Sequence, residues 1–193
     1  MAKILGGILL VLSCTWPLAA AERYIVPHAV AGSPIYLQNA TNNVQAVRLL
    51  DQYVLVMPMT TEHIAAVTTG SVIIDSSGPI LAWSVVDGAT FVAMAPARQI
   101  TLTVTGRTGL AIANDREEQL TITIEVYSDM QLIRSLDGGF APKSSLALWV
   151  DELFPDLGSG EYTLVVRSYS GHLAAGAARL ENGRFQTVPA QVK

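Results

Sequence analysis

The chain has 193 residues, half of them hydrophobic and 15% charged, with a formal net charge of −4. That composition excludes a disordered chain, and the scattered charges form no basic stripe of the kind that neutralises nucleic-acid phosphates, so no nucleic acid is expected. A single cysteine, Cys14, excludes a disulfide framework within the chain.

Residues 1–21 read as a secretory leader. Lys3 supplies the positive start, Ile4 to Leu12 the apolar run, and Ala19-Ala20-Ala21 the small residues before a cleavage site. The apolar run falls short of the roughly 20 residues that a membrane helix needs. Cleavage after Ala21 is expected, giving a chain that starts at Glu22 and lacks cysteine; losing Lys3 leaves 11 basic against 16 acidic residues, a net of −5. Val11-Leu12-Ser13-Cys14 is similar to a bacterial lipobox, but Leu12 fits its position poorly. Membrane attachment is therefore expected only through the leader or a lipid on Cys14.

Beyond the leader the dominant period is two. Val72-Ile73-Ile74-Asp75, Ile100 to Thr105, Leu120 to Val126 and Tyr162 to Arg167 alternate or run apolar with β-branched residues, which predicts antiparallel strands with one wet face. Turn signals separate them at Asn42-Asn43, Ser76 to Pro79, Asp87-Gly88, Asp137-Gly138-Gly139, Gly158-Ser159-Gly160 and Asn182-Gly183. One segment breaks the pattern: Leu146, Trp149, Val150 and Leu153 fall on one helical face. This spacing predicts a helix over 145–154, capped by Ser144 or Ser145 and stopped by Pro155, with Asp151 and Glu152 in its last turn. Trp149 is expected to plug the open end of a sandwich rather than to stand exposed as a ligand platform.

The stretch 70–96 aligns with 160–189. Gly78 meets Gly171, Ala82 meets Ala175, Phe91 meets Phe185 and Pro96 meets Pro189 at offsets of 93 or 94, and Gly88 meets Gly183 at 95. Upstream, Ile35-Tyr-Leu-Gln-Asn39 matches Leu110-Ala-Ile-Ala-Asn114 at an offset of 75, so the first copy lacks about 18 residues, expected where the second has its helix region. The reading is a duplication. The fold expected is all-β: two tandem antiparallel, Ig-like β-sandwich modules over 22–97 and 98–193, joined near Arg98, the second with a short helix.

Thr108-Gly-Leu-Ala-Ile-Ala-Asn114, the Glu-Leu-Phe-Pro ending at Pro155, and Gly160-Glu-Tyr-Thr-Leu through Pro189 resemble a β-sandwich repeat module of exported bacterial proteins. Residues 24 to about 97 resemble a shortened copy. The resemblance implies an accessory or surface role. It supplies no catalytic residues and no ligand, and no attached catalytic or receptor domain is expected.

The residues themselves offer little chemistry. His28, His63 and His172 lack ligand spacing, and there is no Gly-x-Ser-x-Gly elbow or phosphate-binding glycine loop. Asp115, Glu117 and Glu118, like Asp151, Glu152 and Asp156, cluster without the spacing of a calcium loop. Asn39-Ala40-Thr41 is a glycosylation sequon, expected to have no consequence if the source is bacterial. No metal or cofactor is expected. The expected function is that of a non-enzymatic secreted, periplasmic or cell-surface module that is structural or binds a protein or polymer. Its contact residues are expected in two polar loops, at Asp115, Arg116, Glu117 and Glu118 and at Asp137 and Lys143. Two alternatives stand beside it: a carbohydrate- or matrix-binding lectin-like module, for which Tyr127, Tyr169 and Trp83 would have to share one surface, and a hydrolase with an unrecognised site.

Overall fold

A computed structural model describes residues 22–105 and 107–193; the expected leader, with Cys14, lies outside the described residues. The first half contains β1 (Glu22–Ala29), β2 (Pro34–Gln38), β3 (Gln45–Leu49), β4 (Gln52–Val56), β5 (Thr61–Ala65), β6 (Gly70–Ser76), β7 (Leu81–Val86) and β8 (Ala89–Val92). The second contains β9 (Gln99–Thr105), β10 (Thr108–Asn114), β11 (Leu120–Ser128), β12 (Gln131–Phe140), β13 (Ser144–Trp149), α1 (Val150–Leu153), β14 (Glu161–Ser168), β15 (Ala174–Glu181), β16 (Arg184–Val188) and β17 (Ala190–Val192). All pairings are antiparallel, and the alternating stretches read from the sequence lie within β6, β9, β11 and β14.

Each half is a two-sheet sandwich around its own core. The first packs β1-β6-β3-β4 against β5-β2-β7-β8; the second packs β12-β11-β14-β9-β17 against β13-β10-β15-β16. Renumbering β1–β8 as β9–β16 turns one strand order into the other, with β17 as an addition. The register agrees: Leu37 opposes Ala82 as Ile112 opposes Ala175, which keeps the offsets of 75 and 93. Alternation explains the cores. In β9, Ile100, Leu102 and Val104 are buried and face Leu164 and Val166 across the sheet, while Thr101 and Thr103 point outward. The tight hairpins at Asp87-Gly88 and Asn182-Gly183 have positive φ at both central residues, as primed turns require.

Two buried asparagines mark the same place in each half. Asn39 Nδ2 donates to the carbonyls of Asn43 (2.7 Å) and Val56 (2.9 Å), and its Oδ1 accepts from Thr41 N (2.9 Å). Asn114 Nδ2 donates to Glu118 (2.9 Å), Phe140 (3.3 Å) and Ala141 (2.9 Å), and its Oδ1 accepts from Arg116 N (3.0 Å). Each side chain ties the end of one sheet to the last residue of the opposite edge strand, satisfying carbonyls that burial would otherwise leave unpaired.

Several expectations need correcting. Residues 144–149 form strand β13 rather than helix, and α1 is one turn long. Leu146 and Leu148 also have period two, and pairing with Ile112 and Leu110 satisfies their backbone without the cost of nucleating a helix. Asp151 and Glu152 then sit in the first turn, the favourable end, and Glu152 accepts from the Trp149 N–H at 2.9 Å. Val150 and Phe154 close the core; Trp149 is half-buried on the outer face, stacked on Phe185 (centroids 6.0 Å) beneath Arg107. Asp137-Gly138-Gly139 is no turn but lies inside β12, and the true turn is Asp129-Met130, both with positive φ. Phe91 opposes Ser84 while Val188 opposes Ala177, so Phe91 corresponds to Val188, and neither the Phe185 nor the Pro189 match holds in register. The extra residues also divide. Val56 opposes Gln45 as Phe140 opposes Leu120, an offset of 84, and Ser76 opposes Val47 as Ser168 opposes Ile122, an offset of 92, so nine belong to the β11–β12 hairpin, eight to the α1 region and one to the β14–β15 connection.

The halves meet on one sheet face. β10 and β15 turn only small residues outward there: Gly109, Ala111 and Ala113, and Ala174, Gly176 and Ala178. Ala111 and Ala178 join the first half's core, and Ala113 and Ala174 pack on Ile25 of β1. A Cβ on Gly176 would lie 2.9 Å from Pro27 Cγ, so glycine is what lets β1 approach. Backbone bridges Ile25–Met94 and Ala97–Leu173 flank this junction.

Candidate functional site

Five of the six expected contact residues gather beyond the end of β10, where Asn114 folds the chain back. Arg116 Nη2 and Nε reach Glu118 Oε2 at 2.8 and 3.1 Å. Lys143, itself at positive φ, reaches Glu117 Oε1 at 3.3 Å and the backbone oxygen of Asp115. Asp115 is not in a free loop: it is 7% exposed, with Oδ2 3.5 Å from Arg23 Nη1 across the junction. Asp137 stays apart on β12, where its carboxylate accepts from the Thr123 hydroxyl. Each charge of the cluster therefore has a partner inside the molecule, which makes it a latch around Asn114. Among the described residues no three His, Cys, Asp or Glu side chains come together in a way that would hold a metal ion.

A second polar group escaped the sequence reading. On the outer face of the first sheet, Arg23 Nε donates to Asp75 Oδ1 at 2.7 Å, and Arg48 pairs with the other oxygen of the same carboxylate. Asp75 is 3% exposed. Burial alone would push its carboxyl up, but the hydrogen bonds from Arg23 and Arg48 together outweigh that and hold it below the ordinary carboxylate range. The three residues become neighbours only through the β1–β6 and β3–β6 registers, which no local motif announces. In the second half Glu125 plays the same bridging part, accepting from Arg167 Nε and Tyr127 Oη, both at 2.9 Å.

The most exposed long element is β12. Among the described residues it pairs only with β11 and forms one edge of the five-stranded sheet; nine of its ten residues are not buried. Leu136 lies opposite the core residue Ile124 yet is 42% exposed, and Leu132 is 53% exposed. Nothing lies within 4 Å of where a Cβ on Gly138 would be, so the core-side surface of this edge is open. A strand edge with free main-chain donors and acceptors beside exposed leucines is suited to pairing with another extended chain.

Tyr127, Tyr169 and Trp83 do not share a surface. Tyr127 lies at one end of β11; Tyr169 bonds to Thr121 at the other, roughly 20 Å away at 3.4 Å per residue. Trp83 belongs to the first half, on the outer face of β5-β2-β7-β8, stacked on Tyr36 at 5.3 Å with His63 beyond. Comparison with known protein families, with curated proteins and with solved structures finds no match.

Proposed function

We propose that this chain is an exported, non-enzymatic β-sandwich module of the periplasm or cell surface that holds a protein partner by strand addition along β12. The observation that carries the reading is the ten-residue edge strand itself, unburied over nine residues and flanked by Leu132 and Leu136. Main-chain pairing supplies affinity in such contacts, and alternate side chains supply selectivity. The secretory pattern of residues 1–21 and the likeness of residues 108–189 to a module of exported proteins support the location. The shared strand order and the paired Asn39 and Asn114 networks support descent of the two halves from one ancestral unit.

The test is a pull-down from the native envelope with three proteins: wild type, Leu132→Lys/Leu136→Lys, and Arg116→Ala/Glu118→Ala. Lysines on an edge oppose strand addition. The partner captured by wild type should be lost from the lysine variant and kept by the other, whose changes touch only an internal ion pair. Identical capture by all three removes the β12 assignment. Turnover of an ester, peptide or glycoside by the pure protein removes the non-enzymatic reading.

A further inference from the structure

We propose that the cleft where the two halves meet over Ala175 is a binding site for a small, uncharged, apolar ligand bearing one carbonyl-type oxygen. This site is independent of β12. The cleft has a volume of about 360 Å³, with Phe91, Val92 and Met94 of the first half facing Ala175, Val188 and Val192 of the second. That is the space of about a dozen waters at roughly 30 Å³ each. It lies within the range of small-molecule sites, which favour the junctions between folded units.

Two features define the ligand. First, no residue lining the cleft is charged or titrates near neutrality, so an ionised ligand would lose its hydration with no partner to replace it. Second, the cleft opens where the chain changes sheets. β16 pairs with β15 only from Ala177 onward, and beyond Pro189 the chain crosses to the other sheet as β17. Among the described residues β15 has no strand neighbour at Ala175 on the side away from β10. Its amide, in a fully buried residue, donates instead to Met94 Sδ at 3.3 Å. A thioether is a weak acceptor, and an unbranched methionine swings aside at little cost. A ligand oxygen replaces that sulfur on the Ala175 N–H while the ligand's apolar body covers the walls. The half-exposed Val92 and Val192 leave an apolar mouth.

The experiment follows displacement of the uncharged fluorophore N-phenyl-1-naphthylamine from the full chain by acetophenone, ethylbenzene and benzoate. Acetophenone should compete about tenfold more strongly than ethylbenzene, the worth of one neutral hydrogen bond, and more strongly still than benzoate. Ala95→Phe, which crowds the cleft from an exposed lining position, and Val192→Asp, which charges its mouth, should each weaken acetophenone at least about tenfold while leaving the circular dichroism melt in place. Met94→Leu, which removes the sulfur acceptor, should widen the preference for acetophenone over ethylbenzene. Two variants guard against one misfolding. The proposal is overturned if the fluorophore shows no saturable binding, if benzoate competes as well as acetophenone, or if folded Ala95→Phe and Val192→Asp both bind as wild type does.

Discussion

The outer face of β5-β2-β7-β8 and the outer face of β13-β10-β15-β16 are the same surface built twice, and they have opposite fates. In the second half the matched positions are Ala147, Ala111 and Gly176; the first half lies on Ala111 and Gly176, while Ala147 on the edge strand β13 stays exposed. In the first half they are His63, Tyr36 and Trp83, a cross-strand aromatic row in which His63 is exposed and Tyr36 and Trp83 are half-buried, with Leu81 and Val92 exposed beside it. The strand order is common to both, so topology does not decide which face is covered. Side-chain volume does. Small residues let a neighbouring backbone approach a sheet closely, whereas a row of rings standing off the pleat holds it away.

The sharpest way to break this comparison is to exchange the two faces. Gly176→Trp places at the junction the residue found at the matched position 83, where even a Cβ lies 2.9 Å from Pro27. Overpacking of this kind should cost at least about 3 kcal/mol, read from a urea melt. Trp83→Gly, on the open face, should cost far less, and equal losses would mean that the junction is looser than the contacts with Pro27 imply.

A smaller effect is expected from acid. Asp75 is held below its unfolded value by Arg23 and Arg48. Its contribution is therefore complete above the ordinary carboxylate range and is lost as pH falls through the lowered value, which places the loss below about pH 4. Arg23 and Arg48 are about half exposed, so solvent screening limits the gain, and Asp75→Asn should cost about 1 to 2 kcal/mol at neutral pH. The gap between wild type and variant should close in acid; a gap that persists to pH 2 would mean that charge is not what Asp75 contributes.

The smallest effect concerns Trp149. As a core plug it would have been worth the roughly 3–5 kcal/mol of a buried aromatic. On the rim of the junction, stacked on Phe185, Trp149→Ala should cost about 1 kcal/mol, the ordinary value for a partly buried site. Phe154→Ala, inside the core, should take the larger loss.

Most of the strand pattern was legible because burial on one face imposes a period of two, and the Asp87-Gly88 and Asn182-Gly183 turns because primed hairpins demand positive φ. Leu146 to Leu153 misled because the same leucines satisfy a period of two up to Trp149 and a helical spacing across it. Gly138-Gly139 misled because glycine also marks a strand whose inner side faces open space. The junction did leave a trace: Gly109-x-Ala111-x-Ala113 and Ala174-x-Gly176-x-Ala178 alternate small residues on the face that should have been wet. Small residues at every second position signal a covered surface, and that was the sign passed over. The polar candidates were located as a cluster but not as a latch, since the Arg23 that meets Asp115 lies 92 positions away in the chain.

Thiol reactivity tests the sealed-versus-open contrast most directly, because Cys14 is the only native cysteine. In a Cys14→Ser background, Ala111→Cys and Tyr36→Cys place a thiol at the matched position of each half. The account predicts that Cys at 36, half-buried on the uncovered face, reacts with a maleimide in the native state, and that Cys at 111 is slower by at least about a hundredfold, opening only when the halves part. Comparable rates at the two positions would contradict it, because the face of β10 and β15 would then be as open as that of β2 and β7.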